Sequence, residues 1–195
     1  MPRALTEKEK CRQCEKLLVK GKDVVLTHGI KKVSVDEITK AAGMAKGLFY
    51  QHFETKEEYL IRLIRFIHEQ FFTQAEQMVF NKNDLRADTR KFLINLFNMP
   101  ELAFFIKYHH DINELITSIP GDAAVCETQK EVEMFEKLLV LAGIDTNKAK
   151  PGVVNNYIHA LFIMMGSDLM VKEKLQETFD HMIDSLVSYI FGGTV

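Results

Sequence analysis

Hydrophobic and polar residues alternate at helical spacing along almost the whole chain. Apolar side chains recur three and four residues apart over residues 6–28 and again over 56–80. The same spacing predicts helices over 85–98, 101–118, 122–142, 152–170 and 173–191, with Pro, Gly or short polar stretches at their ends. With two short helices between residues 34 and 53, the pattern predicts an all-α fold of about nine helices.

Residues 34–53 carry the signals of a helix-turn-helix. Ser34 and Glu37 have the spacing of a capping box, which marks the start of a helix. Gly43 stands where a chain that leaves a helix often needs a left-handed residue. A second apolar run, anchored by Phe49 and Phe53, begins within a few residues. Two short helices joined by a Gly-containing turn are typical of a DNA-binding unit.

The second short helix directs polar side chains outward. Lys46 and Gln51 have the side chains that read guanine and adenine edges. Tyr50, His52 and Lys56 are suited to phosphate contacts that fix the register. The predicted DNA-contacting set is Ser34, Lys46, Gly47, Leu48, Tyr50, Gln51, His52 and Lys56.

Over about residues 10–63 the chain resembles TetR-family transcriptional regulators. The resemblance lies in Phe49-Tyr50-x-His52-Phe53-x-x-Lys56-Glu57-x-x-Leu60, preceded by Ala42-Gly43-Met44-x-Lys46-Gly47. It implies a DNA-binding domain over 1–55, a ligand-binding and dimerisation domain over 56–195, and a regulator, most often a repressor, that a small molecule releases from DNA. In that family the helix over 56–80 is the usual lever between the two domains.

Two positions depart from the family pattern. Ala45 stands where Ser or Thr is common, so the recognition helix lacks a side-chain cap, at a cost of about 1 kcal/mol. Leu48 replaces a frequent Thr or Ser and removes one possible phosphate or base contact. The operator sequence therefore cannot be inferred from relatives.

Charge is unevenly distributed along the 195 residues. The whole chain carries a net charge of −2. Residues 1–65 contain 14 Lys and Arg against 9 Asp and Glu, a net of +5, whereas the remaining 130 residues carry −7. A basic N-terminal third on an acidic body is consistent with a unit that faces a polyanion.

An effector pocket is expected between the helices over 56–142. An apolar cavity needs a few polar groups to orient its ligand. The residues predicted to line it are Phe104, Phe105, Tyr108, His109 and Met134. For His109, which the spacing places on an apolar helix face, a hydrogen-bonded position in the core is the preferred interpretation.

The last two predicted helices are apolar enough to be covered on more than one side. We expect them to form a four-helix homodimer interface, with closure of the monomer core as the alternative. The predicted interface residues are Leu161, Met165, Phe179, Met182, Ile183, Leu186 and Ile190. A two-fold dimer predicts a pseudo-palindromic operator with half-sites about 34–36 Å apart, or a multiple of that spacing.

The sequence does not favour an enzyme or a cofactor. No histidine has Glu three residues before it, as a helical di-iron site would require, and His68-Glu69 is not followed by the second His of a zinc peptidase motif. For Cys11 and Cys14, helix packing is preferred over a redox or metal role. We therefore expect a cytoplasmic protein without metal, cofactor or membrane span. The alternative function is a helical dimer that binds a ligand or protein without sequence-specific DNA binding.

Overall fold

The computed structural model describes residues 6–80, 84–118 and 123–192, with side chains at 79–80 and 123–128 left out. In these ranges the chain is all-α, with ten α-helices and a short 3₁₀ turn over Lys172–Lys174. The helices are α1 Glu7–His28, α2 Val35–Ala42, α3 Lys46–His52, α4 Lys56–Phe80, α5 Leu85–Phe97, α6 Pro100–Lys107, α7 His109–Thr117, α8 Ala123–Leu141, α9 Pro151–Gly166 and α10 Leu175–Phe191.

The first three helices form a small unit, here called the head, around one apolar core. Thr6 caps α1 through a capping box with Glu9, and α1 ends at Gly29, whose φ of 84° favours glycine. Leu17 of α1, Ile38 of α2 and Phe49 of α3 are fully buried in the core that the three helices share. Each of the three helices therefore packs one face into the head core.

Helix α4 runs from the head into the rest of the chain, here called the body. It covers Lys56–Phe80, the limits that the apolar spacing predicts. Its 25 residues span about 37 Å at 1.5 Å per residue. Tyr59, Leu60 and Leu63 pack at the head end, whereas Ala75 packs between α5 and α8 in the body. One continuous helix thus connects the two packing environments.

The predicted single helix over 101–118 is wrong, since the structure contains two helices there. The chain breaks at Tyr108, where φ is −108° and ψ is 19°, and α7 begins at His109. The break rotates the residues that follow it, so Ile112 and Leu115 face the core. His109 is exposed, and the expectation that it lies in the core is also wrong.

The last two helices, α9 and α10, close the body core. Five residues predicted at a dimer interface are buried within the single chain, so that assignment is corrected for them: Leu161, Phe179, Ile183, Leu186 and Ile190. A side chain that packs inside one copy offers no surface to a second copy. Met165 and Met182 are half-buried and keep part of their surface outside the core.

No helix within the described ranges is long and apolar enough to cross a membrane. Helix α9 is the most apolar, but it includes the buried amide of Asn155 and the exposed His159. It is covered by α6, α8 and α10, which explains its apolar character without a lipid environment.

Candidate nucleic-acid interface and body cavities

The turn between α2 and α3 is fixed by backbone geometry. Ser34 accepts a hydrogen bond from the Glu37 backbone N–H at 3.3 Å, and the Glu37 carboxylate accepts from the Ser34 backbone N–H at 2.8 Å. Gly43 ends α2 in the left-handed region, with φ 59° and ψ 43°. The predicted capping box and glycine turn are therefore confirmed, and α3 follows after two residues without a side-chain cap at Ala45.

One aromatic cluster sets the rotation of α3. Phe49 is fully buried, with its ring centroid 5.3 Å from that of Phe53 and 5.4 Å from that of Tyr59. The Tyr59 hydroxyl donates to the Leu17 carbonyl oxygen at 3.0 Å, which ties α4 to α1. Burial is the main reason that the pKa of the Tyr59 hydroxyl is raised. This anchoring turns the opposite face of α3 outward.

Four of the predicted DNA-contacting residues share that outward face of α3. Lys46, Gly47 and Gln51 are exposed, and Tyr50 keeps 52% of its surface accessible. The Lys46 ammonium lies 3.0 Å from the Asp36 carboxylate of α2, an exposed ion pair. The hydrogen bond from Lys46 to Asp36 is the main cause of a raised pKa for the lysine. Lys46 therefore stays charged next to the surface that α3 presents.

The other four predicted contact residues are partly engaged inside the head. The Ser34 hydroxyl donates to the Glu37 carboxylate at 2.7 Å, and the Lys56 ammonium donates to the Val33 carbonyl at 3.2 Å. His52 Nε2 lies 3.0 Å from Gln13 Oε1, and Leu48 is half-buried. Burial, followed by the charge of Lys10, lowers the pKa of His52, so its imidazole is neutral at pH 7.

Sequence reasoning missed three residues that organise this surface. Asp36 holds Lys46, Gln13 holds His52, and Tyr59 supports Phe49. Their partners lie 10 or more residues away along the chain, so periodicity within one helix gives no signal for them. Asp36 also stands in the first turn of α2, where an acidic residue is explained by the helix dipole alone.

The head is joined to the body through α6 and α7 as well as through α4. The Lys22 ammonium of α1 lies 2.6 Å from the Glu101 carboxylate of α6. Lys31, just ahead of α2, lies 2.9 Å from Asp111 and 3.0 Å from Glu114, both on α7. The ring of Tyr108 is packed so close to Gly29 that a Cβ there would lie 2.9 Å from it.

An apolar space, here called the inner cavity, lies within the body. It has about 630 Å³ of empty volume, part of which is open to solvent. Most of its lining is aromatic or aliphatic, contributed by α4, α5, α6, α8 and α9: Phe71, Phe72, Ala75, Phe92, Leu93, Leu96, Leu102, Phe135, Leu138, Ile158 and Phe162. Its polar lining residues are His68, Glu131, Asn155 and His159. This composition is typical of a small-molecule site.

A second space, here called the outer cavity, adjoins the inner one and has about 1130 Å³, including its open mouth. Two of the residues predicted for the effector pocket, Phe105 and His109, line it. Phe104 instead packs at the head–body joint, and Tyr108 packs on Gly29. Met134 is half-buried and lines neither cavity. The fold therefore brings together only part of the set of residues predicted for the effector pocket.

Both cavities share a polar cluster that the sequence did not indicate. His68 of α4 and His159 of α9 both contact Glu131 of α8. These three residues are separated by up to 91 positions, from 68 to 159, and stand on helices whose apolar stripes dominate the pattern. Only the packing of the three helices brings them together.

The outward face of α3 and the cavities in the body define the class of protein: an all-helical protein with a helix-turn-helix head. Residues 17–63 match the family model of bacterial regulatory proteins, tetR family. Over 50 residues the chain is 36% identical to YwcC, an uncharacterized HTH-type transcriptional regulator of Bacillus subtilis. That match spans 26% of this chain and 22% of the relative's length.

Solved structures are similar over the whole length. A TetR-family transcriptional regulator from Pectobacterium atrosepticum has a TM-score of 0.67 and 17% identity, over 93% of this chain and 94% of that one. The transcriptional regulator FadR from Bacillus subtilis, in complex with stearoyl-CoA, has a TM-score of 0.51 and 15% identity, over 93% and 99%. The helix-turn-helix of this chain thus matches the TetR-family model, and 93% of the chain has the fold of a solved TetR-family regulator.

Proposed function

We propose that this protein is a transcriptional regulator that binds operator DNA through α3 and is released when a small molecule occupies the body. One observation carries the proposal: α3 buries Phe49 and turns Lys46, Tyr50 and Gln51 outward on a helix-turn-helix. Residues 1–55 would act as the DNA-binding unit and residues 56–195 as the unit that senses the ligand.

In this proposal Lys46 and Gln51 read base edges and Tyr50 contacts a phosphate. Lys46 must leave Asp36 to reach a base, and the pair is exposed enough for that exchange to cost little. Ser34, His52 and Lys56 would mainly hold the head in shape, since their polar atoms already contact Glu37, Gln13 and Val33.

The body supports the ligand-sensing half of the proposal. FadR, which has a similar fold, is solved with stearoyl-CoA, and the present chain has an apolar inner cavity. Helix α4 lines both cavities and begins in the head, whereas α7 lines the outer cavity and holds Lys31. A coupling of about 1–3 kcal/mol between the two sites would change operator affinity 5- to 150-fold.

We further propose a homodimer formed through the outward faces of α9 and α10. Met165 and Met182 keep part of their surface outside the core, and Ile163 of α9 is 64% exposed. A two-fold dimer would bind half-sites about 34–36 Å apart or a multiple of that spacing. Sedimentation of Ile163→Glu/Met182→Glu should give monomers with an unchanged helical spectrum, and an unchanged dimer mass would remove these residues from the interface.

DNA binding can be tested without knowing the operator. The protein should enrich a pseudo-palindromic sequence from a random duplex library, and that sequence should shift in a gel with the purified protein. Lys46→Ala/Tyr50→Ala should lose the specific shift while keeping the wild-type helical content. If no sequence is enriched, the alternative function remains, namely a helical protein that binds a ligand or protein partner without sequence-specific DNA binding.

A further inference from the structure

A carboxylate clamped by two histidines lies where the inner and outer cavities meet. Glu131 Oε1 is 3.0 Å from His68 Nδ1, and Glu131 Oε2 is 3.3 Å from His159 Nε2. Only 17% of the Glu131 side chain is exposed. Three helices, α4, α8 and α9, each contribute one member of this cluster, and all three members line both cavities.

The charge of the cavity walls comes from Glu131. Among the described residues that line either cavity, the other polar groups are histidines and asparagines, with no Lys or Arg. An anionic ligand group would therefore meet a carboxylate without a permanent cation to pair with.

Glu131 keeps its charge in this position. Burial alone would raise the pKa of its carboxyl, but the hydrogen bonds from His159 and His68 outweigh burial and lower the pKa to about 2. A charged group in a largely apolar surrounding attracts an opposite charge more strongly than it would in water.

We propose that the ligand of this body is an amphipathic cation, whose apolar part fills the inner cavity and whose positive group pairs with Glu131 in place of a histidine. The inference deepens the proposed function and rests on it for the effect on DNA. His68 belongs to α4, the helix that begins in the head, so a ligand that replaces His68 frees α4 from α8 at this point. Recognition and release would thus occur at one carboxylate.

Three probes with the same apolar chain test the charge preference: dodecyltrimethylammonium, dodecanol and dodecanoate. Isothermal titration calorimetry of the full chain at pH 7.5, well below micelle concentrations, should give the ammonium the highest affinity. We expect it to bind about tenfold to 100-fold more tightly than the carboxylate. A carboxylate that binds as tightly as the ammonium, or equal affinities for all three probes, would overturn the inference.

A conservative variant assigns the preference to Glu131. Glu131→Gln should weaken ammonium binding about tenfold and change dodecanol binding less than about threefold, because only the charge is removed. Glu76→Gln is the matched control, since Glu76 of α4 pairs with Lys137 and lines neither cavity. Circular dichroism confirms that each variant is folded. Equal losses for both probes in Glu131→Gln would mean that Glu131 is structural, which contradicts the proposal.

The calorimetry tests the ligand inference and the DNA enrichment tests the proposed function, so either one can be contradicted without the other. If the ammonium is preferred but no DNA sequence is enriched, the ligand inference holds and the proposed function is wrong. If a sequence is enriched and shifted but the calorimetry shows no charge preference, the ligand inference is wrong and DNA binding remains. If both hold, the ammonium should also weaken the shift by wild-type protein and not by Glu131→Gln.

Discussion

At the scale of single residues, close packing decides which glycines can change. A Cβ at Gly21 would overlap the Tyr59 hydroxyl and lie 2.9 Å from Ile38 Cγ2, in the centre of the head core. Gly47 has no atom within 4 Å of the same position. Both glycines lie inside helices with ordinary backbone angles, so the same substitution separates packing from helix propensity.

Gly21→Ala should therefore destabilise the protein by about 1–3 kcal/mol, because the Tyr59 side chain must move and its hydrogen bond to Leu17 is strained. Gly47→Ala should be neutral or stabilise by up to about 1 kcal/mol. Urea unfolding followed by circular dichroism measures both. Equal effects at the two positions would show that the close contact between position 21 and Tyr59 does not determine the stability of the head.

Asp36 gives a second prediction at this scale. Its carboxylate is exposed beside the outward face of α3 and pairs with Lys46. Asp36→Asn should raise operator affinity about threefold or more at low salt, because it removes a negative charge near the phosphates and releases Lys46. Affinity for the enriched duplex can be measured by fluorescence anisotropy.

The double variant Asp36→Asn/Lys46→Ala is the control for that explanation. It should show little of the gain, since the released lysine is absent. A gain of the same size with and without Lys46 would mean that Asp36 acts by general repulsion alone. A loss of affinity in Asp36→Asn would contradict the placement of this surface against DNA.

At the scale of helices, the sequence predicted most of the fold and part of the candidate site. The limits of α4 and the helix-turn-helix follow from local signals: uninterrupted apolar spacing, the Ser34–Glu37 capping box and Gly43. The break at Tyr108 has neither Gly nor Pro to mark it. It is explained by the packing of the Tyr108 ring on Gly29, which lies 79 residues earlier.

The dimer residues and the cavity show a different limit of sequence reasoning. Periodicity indicates that the apolar face of α10 is covered, but it does not say whether the cover is α5 and α9 or a second chain. Ile183 and Leu186 are covered within the chain. Likewise, the Glu131 cluster depends on three helices meeting, which no single helical stripe reveals.

Helix α7 gives the prediction at this scale, because it lines the outer cavity and holds the loop ahead of α2. Asp111→Asn/Glu114→Gln removes both partners of Lys31. Thermal stability should change little, since Lys31 and Glu114 are exposed and Asp111 is only half-buried. Amide hydrogen exchange over residues 29–33 should become several-fold faster, because that loop loses its ion pairs with α7.

Glu177→Gln is the matched control for α7. It removes the exposed ion pair between Glu177 of α10 and Lys174, far from the head in sequence. Exchange over residues 29–33 should stay at the wild-type rate in this variant. If the α7 variant also keeps the wild-type rate, the head does not depend on Lys31 for its attachment, and the coupling would pass through α4 and the contacts of α6 with the head.

At the scale of the whole molecule, Glu131 connects ligand sensing to folding stability. The same contacts that hold the carboxylate for a ligand hold α4, α8 and α9 together in its absence. We propose that a ligand replaces some of these contacts. Removing the contacts without a ligand should therefore lower the stability of the folded protein. Acid is one such way, because protonation removes the charge that both histidines contact.

The direction of the acid effect follows from the pKa. In the folded protein the pKa of Glu131 is lowered to about 2 from an unfolded value of 4.5, so the unfolded chain binds the proton first. The stability that Glu131 contributes is complete above about pH 4.5 and is lost as the pH falls toward 2. The shift corresponds to roughly 3 kcal/mol at most.

Urea unfolding at pH 7, 4 and 3 tests this expectation. The free energies of unfolding of wild type and Glu131→Gln should converge as the pH falls, whereas that of Glu177→Gln should follow wild type throughout. A constant difference between wild type and Glu131→Gln from pH 7 to pH 3 would show that the carboxylate is not held by His68 and His159, which would remove the basis for its role in both stability and ligand recognition.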